Sequence, residues 1–139
     1  MTLFVPRAGL IPHVRPGSKP RLRNPRQVAK FAYSLDQRSL PDRARSAVFS
    51  SIPDAILVSG AITGEAARME DLEAVKAVLP DTPVIANTGV KHATVADVLR
   101  IADGCIVGSS LKVDGHTWNA VDPDRAAEFM RIVREIRPS

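Results

Sequence analysis

Asp54-Ala55-Ile56-Leu57-Val58-Ser59-Gly60 is an unbroken apolar run that stops at a hydroxyl and a glycine. With no polar alternation, it has the pattern of a strand buried on both faces. The pattern returns twice: Pro83-Val84-Ile85-Ala86-Asn87 closes on Thr88-Gly89, and Gly104-Cys105-Ile106-Val107-Gly108 closes on Ser109-Ser110. The strand centres Ile56, Ile85 and Ile106 are 29 and 21 residues apart. That spacing is too long for hairpins and fits helix crossovers between parallel strands.

The intervening segments read as those helices. Met69, Leu72, Val75 and Leu79 mark one apolar stripe, with Glu70, Asp71 and Glu73 at its dipole-favoured start. Val95, Val98, Leu99 and Ala102 mark the next. Asp122-Pro123 supplies an N-cap and first-turn proline for a last helix, with Ala126, Phe129, Met130 and Val133 facing inward. Upstream, Ser39 caps a helix carrying Leu40, Ala44, Ala47 and Val48, and Val28–Tyr33 is a candidate strand. Strands apolar on both faces need helices over them, as in a barrel or a doubly wound sheet.

Residues 1–27 break the pattern. Pro6, Pro12, Pro16, Pro20 and Pro25 recur too often for a helix interior or a central strand, so the segment is expected to be an irregular basic leader before a domain at 28–139. Cut after Arg45, the chain carries ten Lys or Arg against two acids in its first part and nine against thirteen in the rest. The net charge of +4 is therefore set by the first third. The leader has neither the amphipathic helix of a transit peptide nor the apolar core of a secretory signal.

The 139 residues suit one domain and fall short of the roughly 250 of a closed eight-unit barrel. Charges interrupt every apolar run before the roughly 18 residues a bilayer span needs. Cys105 is the single cysteine, so an internal disulfide is excluded, and a cytoplasmic setting is the expectation. His13, His92 and His116 show no metal-ligand spacing, and there is no Walker or GxGxxG motif. Neither a metal nor a nucleotide cofactor is expected.

Chemistry is sought at the strand-to-helix turns, because ligands of parallel α/β folds bind at the carboxyl ends of the strands. Gly89, Gly108, Ser109 and Ser110 are the candidate phosphate-binding residues. Glycine lets backbone N–H groups approach an anion, and the serines add hydroxyl donors. Ser59, Gly60, Thr63 and Asn87 are further ligand-loop candidates. The structural alternative is that these glycines only make tight turns.

Ser59-Gly60-Ala61-Ile62-Thr63-Gly64, Ala86-Asn87-Thr88-Gly89-Val90, the long string Ala102 to Gly115 and Asn119-Ala120-Val121-Asp122-Pro123 resemble the BtpA/SgcQ family. The resemblance covers roughly residues 28–139. It implies a ribulose-phosphate-binding type of (β/α)8 TIM barrel, of which this chain would hold the last four βα units with parallel strands. It also implies a photosystem I biogenesis or membrane-complex assembly role, or alternatively phosphoribosylanthranilate-isomerase-like chemistry. Lys30-Phe31 departs from the family's Lys-His at a strand end, and residues 1–27 do not align with the family.

Acid or base candidates at or just past strand ends are Lys30, Asp36, Glu65, Lys112, Asp114 and His116. Lys112 and Asp114 follow the phosphate turn and are placed to contact a substrate or to form a solvated pair. His116 reads as a surface histidine, Trp118 as packing on the last helix, and Cys105 as buried and inert. The expected partner is a phosphorylated small molecule. Half a barrel leaves open sheet edges, so self-association is also expected, along with inactivity of the isolated chain or a truncated, inactive gene product. The basic leader fits peripheral contact with anionic lipid. Scarce aromatics, with Phe4 alone among residues 1–27, argue against nucleic acid.

Overall fold

The computed structural model describes residues 3–6, 22–23, 36–61 and 64–137. In chain order the elements are β1 (Leu3–Pro6), β2 (Leu22–Arg23), α1 (Leu40–Ser51), β3 (Ala55–Val58), α2 (Met69–Val78), β4 (Val84–Ala86), α3 (Val95–Ile101), β5 (Gly104–Val107) and α4 (Pro123–Ile136). Two short 3₁₀ turns, Ser109–Leu111 and Val113–Gly115, separate β5 from α4. The predicted strand at 28–33 lies outside the described residues.

One sheet runs in the order β1-β5-β4-β3-β2. The β2–β3, β3–β4 and β4–β5 pairs are parallel, and β1 lies antiparallel on β5. Two pieces of the stretch expected to be irregular are thus paired. Edge positions explain why proline permits it: Pro6 ends an outermost strand, where a missing N–H breaks no central ladder.

Helix starts follow the expected chemistry. Ser39 Oγ accepts from the Asp42 amide at 3.2 Å and donates to its carboxylate at 2.6 Å. Asp122 accepts from the amides of Asp124 and Arg125, with Pro123 next in line. α1 stops at Ile52, whose φ of 43° is left-handed.

Side-chain parity decides the layer arrangement. Ile56 and Val58, Val84 and Ala86, and Cys105 and Val107 share one sheet face, and they join a single core with Leu72, Val75, Val95, Leu99, Phe129 and Val133 of the helices. Consecutive helices pack on one another, α1 on α2, α2 on α3 and α3 on α4. All four helices of the described residues therefore cover that one face, as in a partial βα barrel and unlike a doubly wound sheet. Full burial of each of these aliphatic side chains contributes about 1.5–3 kcal/mol. The opposite face carries Leu57 and Ile106, both half-buried.

The end of the sheet before β5 is fastened by Asp103, which is buried. Its carboxylate accepts from the Val84 amide at 2.9 Å and from Lys76 Nζ at 2.7 Å. Arg137 donates to the carbonyls of Leu99, Ala102 and Asp103, satisfying the last turn of α3. Trp118 departs from expectation. It is 89% exposed instead of packing on α4, because the 3₁₀ turns carry it outward. Among the described residues no helix is long and apolar enough to cross a membrane.

Candidate functional site

Parallel pairing brings the carboxyl ends of β3, β4 and β5 to one rim. The first two turns there are stitched together: Gly60 N–H donates to Thr88 Oγ1 at 2.8 Å, and Asn87 Nδ2 donates to Ser59 Oγ at 2.9 Å. Gly60 and Gly89 also let the backbone at Glu65–Ala66 cross closely. A Cβ on either would sit 2.3 Å from that backbone.

A cleft of about 460 Å³ opens between the second and third turns. Gly89, Gly108, Ser109 and Ser110 all line it. A Cβ on Gly108 would meet nothing within 4 Å, so its missing side chain leaves room over the cleft. The backbone N–H groups of these four residues donate to no protein acceptor among the described residues. Ser109 Oγ shares a 2.7 Å hydrogen bond with Thr117 Oγ1.

The cleft also contains side chains that the sequence reading did not single out. Lys91, His92 and Arg125 line it, and among the described residues no carboxylate does. Arg125 Nε donates to the Ser110 carbonyl at 3.0 Å. His92 bridges two elements: Nδ1 is 3.0 Å from Ser110 Oγ and Nε2 is 2.8 Å from the Arg125 carbonyl. The ring meets Phe129 edge-on, with centroids 5.3 Å apart. On α4, the hydrogen bonds from Arg131 hold the Glu128 carboxyl below the usual carboxylate range. His92 was findable, since it stands three residues past Gly89 in a strand-to-helix turn. Arg125 was not, because it reaches the cleft from the first turn of α4.

Several candidates fall elsewhere. Ser59, Gly60 and Asn87 do not line the cleft; the hydroxyl of Ser59, the amide N–H of Gly60 and the side-chain amide of Asn87 hold the turns together. Lys112 and Asp114 are also off its walls: Lys112 bridges to Val121, and exposed Asp114 turns the chain at φ 56°. Glu65 and His116 are exposed and do not line it. Asp36 pairs with Arg38, whose hydrogen bonds hold its carboxyl down at about 2. Lys30 and Thr63 lie outside the described residues. Cys105 is buried in mid-strand, and burial pushes its thiol up to about 11. Among the described residues no three of His, Cys, Asp or Glu converge to hold a metal.

Comparison with known proteins adds a family. The model of the BtpA family matches residues 27–135. The chain is 42% identical over 110 residues to the sgc region protein SgcQ of Escherichia coli (strain K12), covering 79% of this chain and 41% of SgcQ. It is 30% identical over 124 residues to protein TK2179 of Thermococcus kodakarensis, covering 86% and 47%. It is 31% identical over 108 residues to the photosystem I biogenesis protein BtpA of Synechocystis sp., covering 78% and 38%. The chain thus spans less than half the length of each of these relatives. No solved structure matches it.

Proposed function

The chain belongs to the BtpA family, and from that premise we propose that it carries the phosphate-gripping part of a partial βα barrel, binding a sugar-phosphate-like anion between the turns after β4 and β5. One observation carries the reading. Gly89, Gly108, Ser109 and Ser110 meet at a single cleft whose charged or titratable walls, among the described residues, are Lys91, His92 and Arg125. The backbone amides of the four turn residues, which have no acceptor among the described residues, offer hydrogen bonds to phosphate oxygens, and Arg125 and Lys91 supply opposite charge where water is partly excluded.

The test is thermal unfolding of the full chain with inorganic phosphate and with ribose 5-phosphate. A site occupied at ten times its dissociation constant stabilises the fold by about 1.4 kcal/mol. Ser110→Ala and Arg125→Ala should each shrink the shift. A cooperatively folded chain whose melting does not respond to either compound would remove the proposal.

Identity to BtpA of Synechocystis favours a second reading, an assembly role at a membrane complex, with residues 1–45 bringing ten basic side chains to anionic lipid. Flotation with phosphatidylserine vesicles that is lost when residues 1–27 are deleted would support it, and equal flotation of both forms would count against it. Under either reading the sheet presents Leu57 and Ile106 on the face that the described helices leave uncovered. A second copy of the chain is proposed to close it. Light scattering after size exclusion should give a mass above one chain.

A further inference from the structure

His92 sits between the cleft and α4 with both ring nitrogens engaged. A carbonyl oxygen can only accept, so the bond from Nε2 to the Arg125 carbonyl fixes the ring proton on Nε2. A neutral imidazole then presents a bare Nδ1, and the only hydrogen available to it at 3.0 Å is the hydroxyl proton of Ser110. In that state Ser110 spends its one donor on the histidine and shows only lone pairs to the cleft. A proton added at Nδ1 reverses the bond: Nδ1–H donates to Ser110 Oγ, and the hydroxyl hydrogen is released toward the cleft. One proton, taken from solvent, therefore adds a positive charge beside the site and also restores a hydrogen-bond donor within it.

We infer that His92 couples anion binding in the cleft to the uptake of one proton, so that Ser110 donates to a phosphate-like dianion only when the imidazole is charged. The inference rests on the anion-binding reading above. The groups around His92 carry charge of both signs. Glu128 on α4 is a carboxylate, itself paired with Arg131. Arg125 on α4 and Lys91 in the same turn are cations that line the same cleft. Phe129 packs edge-on and brings no charge. A dianion bound beside the ring favours the imidazolium, and the imidazolium in turn frees the Ser110 donor that the dianion uses.

Sulfate is the probe, because it stays doubly charged across the range in which histidine titrates. The full chain, labelled with carbon-13 at histidine, is titrated from about pH 5.5 to 8 with and without saturating sulfate. The His92 midpoint should rise by about half a unit or more while exposed His116 moves less. By reciprocity, sulfate affinity should fall at least about threefold across the same interval. His92→Asn places an amide near the Nδ1 position without a titrating proton, and its sulfate binding should be flat with pH. The wild-type titration decides even if that variant folds poorly. Sulfate binding with an unmoved His92 midpoint and a flat pH profile overturns the proton coupling and leaves the anion site standing. Absence of sulfate binding at every pH overturns the anion site and this inference with it.

Discussion

Replacing Gly89 by alanine should destabilise the fold by about 2–4 kcal/mol, while the same change at Gly64 should cost about 1 kcal/mol or less. The two positions share a left-handed backbone, with φ of 68° and 87°. For an alanine that conformation costs about 1–2 kcal/mol, and the stiffer unfolded chain returns about 0.4–1 kcal/mol of it. At Gly64 nothing lies within 4 Å of the added carbon, so no further cost arises. At Gly89 the carbon would stand 2.3 Å from the Ala66 nitrogen and 2.5 Å from its Cα. Backbone cannot swing aside as a side chain does, and overpacking of this kind adds about 1–3 kcal/mol. For a chain of this size each kcal/mol lowers Tm by about 3–6 °C. Circular dichroism melts should therefore separate the two variants by roughly 5–15 °C. Equal melting of Gly64→Ala and Gly89→Ala would refute the claim that Gly89 is held by the crossing chain at Glu65–Ala66.

Asp103→Ala strips the Val84 amide and Lys76 of their shared acceptor, and chemical denaturation should show a loss of about 2–4 kcal/mol. Cys105 should resist a thiol reagent in the native state near pH 8 and react at a rate that follows global unfolding, because the thiol is buried and held up at about 11. The same raised value makes the thiolate favour the unfolded chain. Stability should accordingly hold below the ordinary value of 9.0 and decline as pH rises toward about 11, a decline that Cys105→Ala should remove.

Much of this molecule could be read from local chemistry. Three apolar runs ending in glycine and hydroxyl residues gave β3, β4 and β5, because a strand buried on both faces leaves an unmistakable hydrophobic stretch. Ser39 and Asp122-Pro123 marked helix starts, because capping is a contact between neighbours in sequence. The resemblance to the BtpA/SgcQ family rested on those same segments, and the family is the one the chain belongs to. The turns at Gly89 and Gly108-Ser109-Ser110 were legible as well, since parallel strands deliver such turns to one rim.

Other features required the tertiary structure, because they depend on separations the sequence does not encode. Pro6 argued against a strand, yet Leu3–Pro6 pairs with β5 about a hundred residues away, where only an edge position reconciles proline with a ladder. Ser59, Gly60 and Asn87 looked like ligand residues and instead bond across adjoining turns, since short polar side chains at one rim find one another before they find a ligand. Trp118 was expected to pack on the last helix and is exposed. The His92–Ser110–Arg125 contact joins three segments that no periodicity relates. Local sequence chemistry thus determined which elements form and which turns meet at the cleft. The packing of α4 against the turn after β4 decided which side chains surround it, because hydrogen bonds between distant segments exist only once the helices have closed on one face of the sheet.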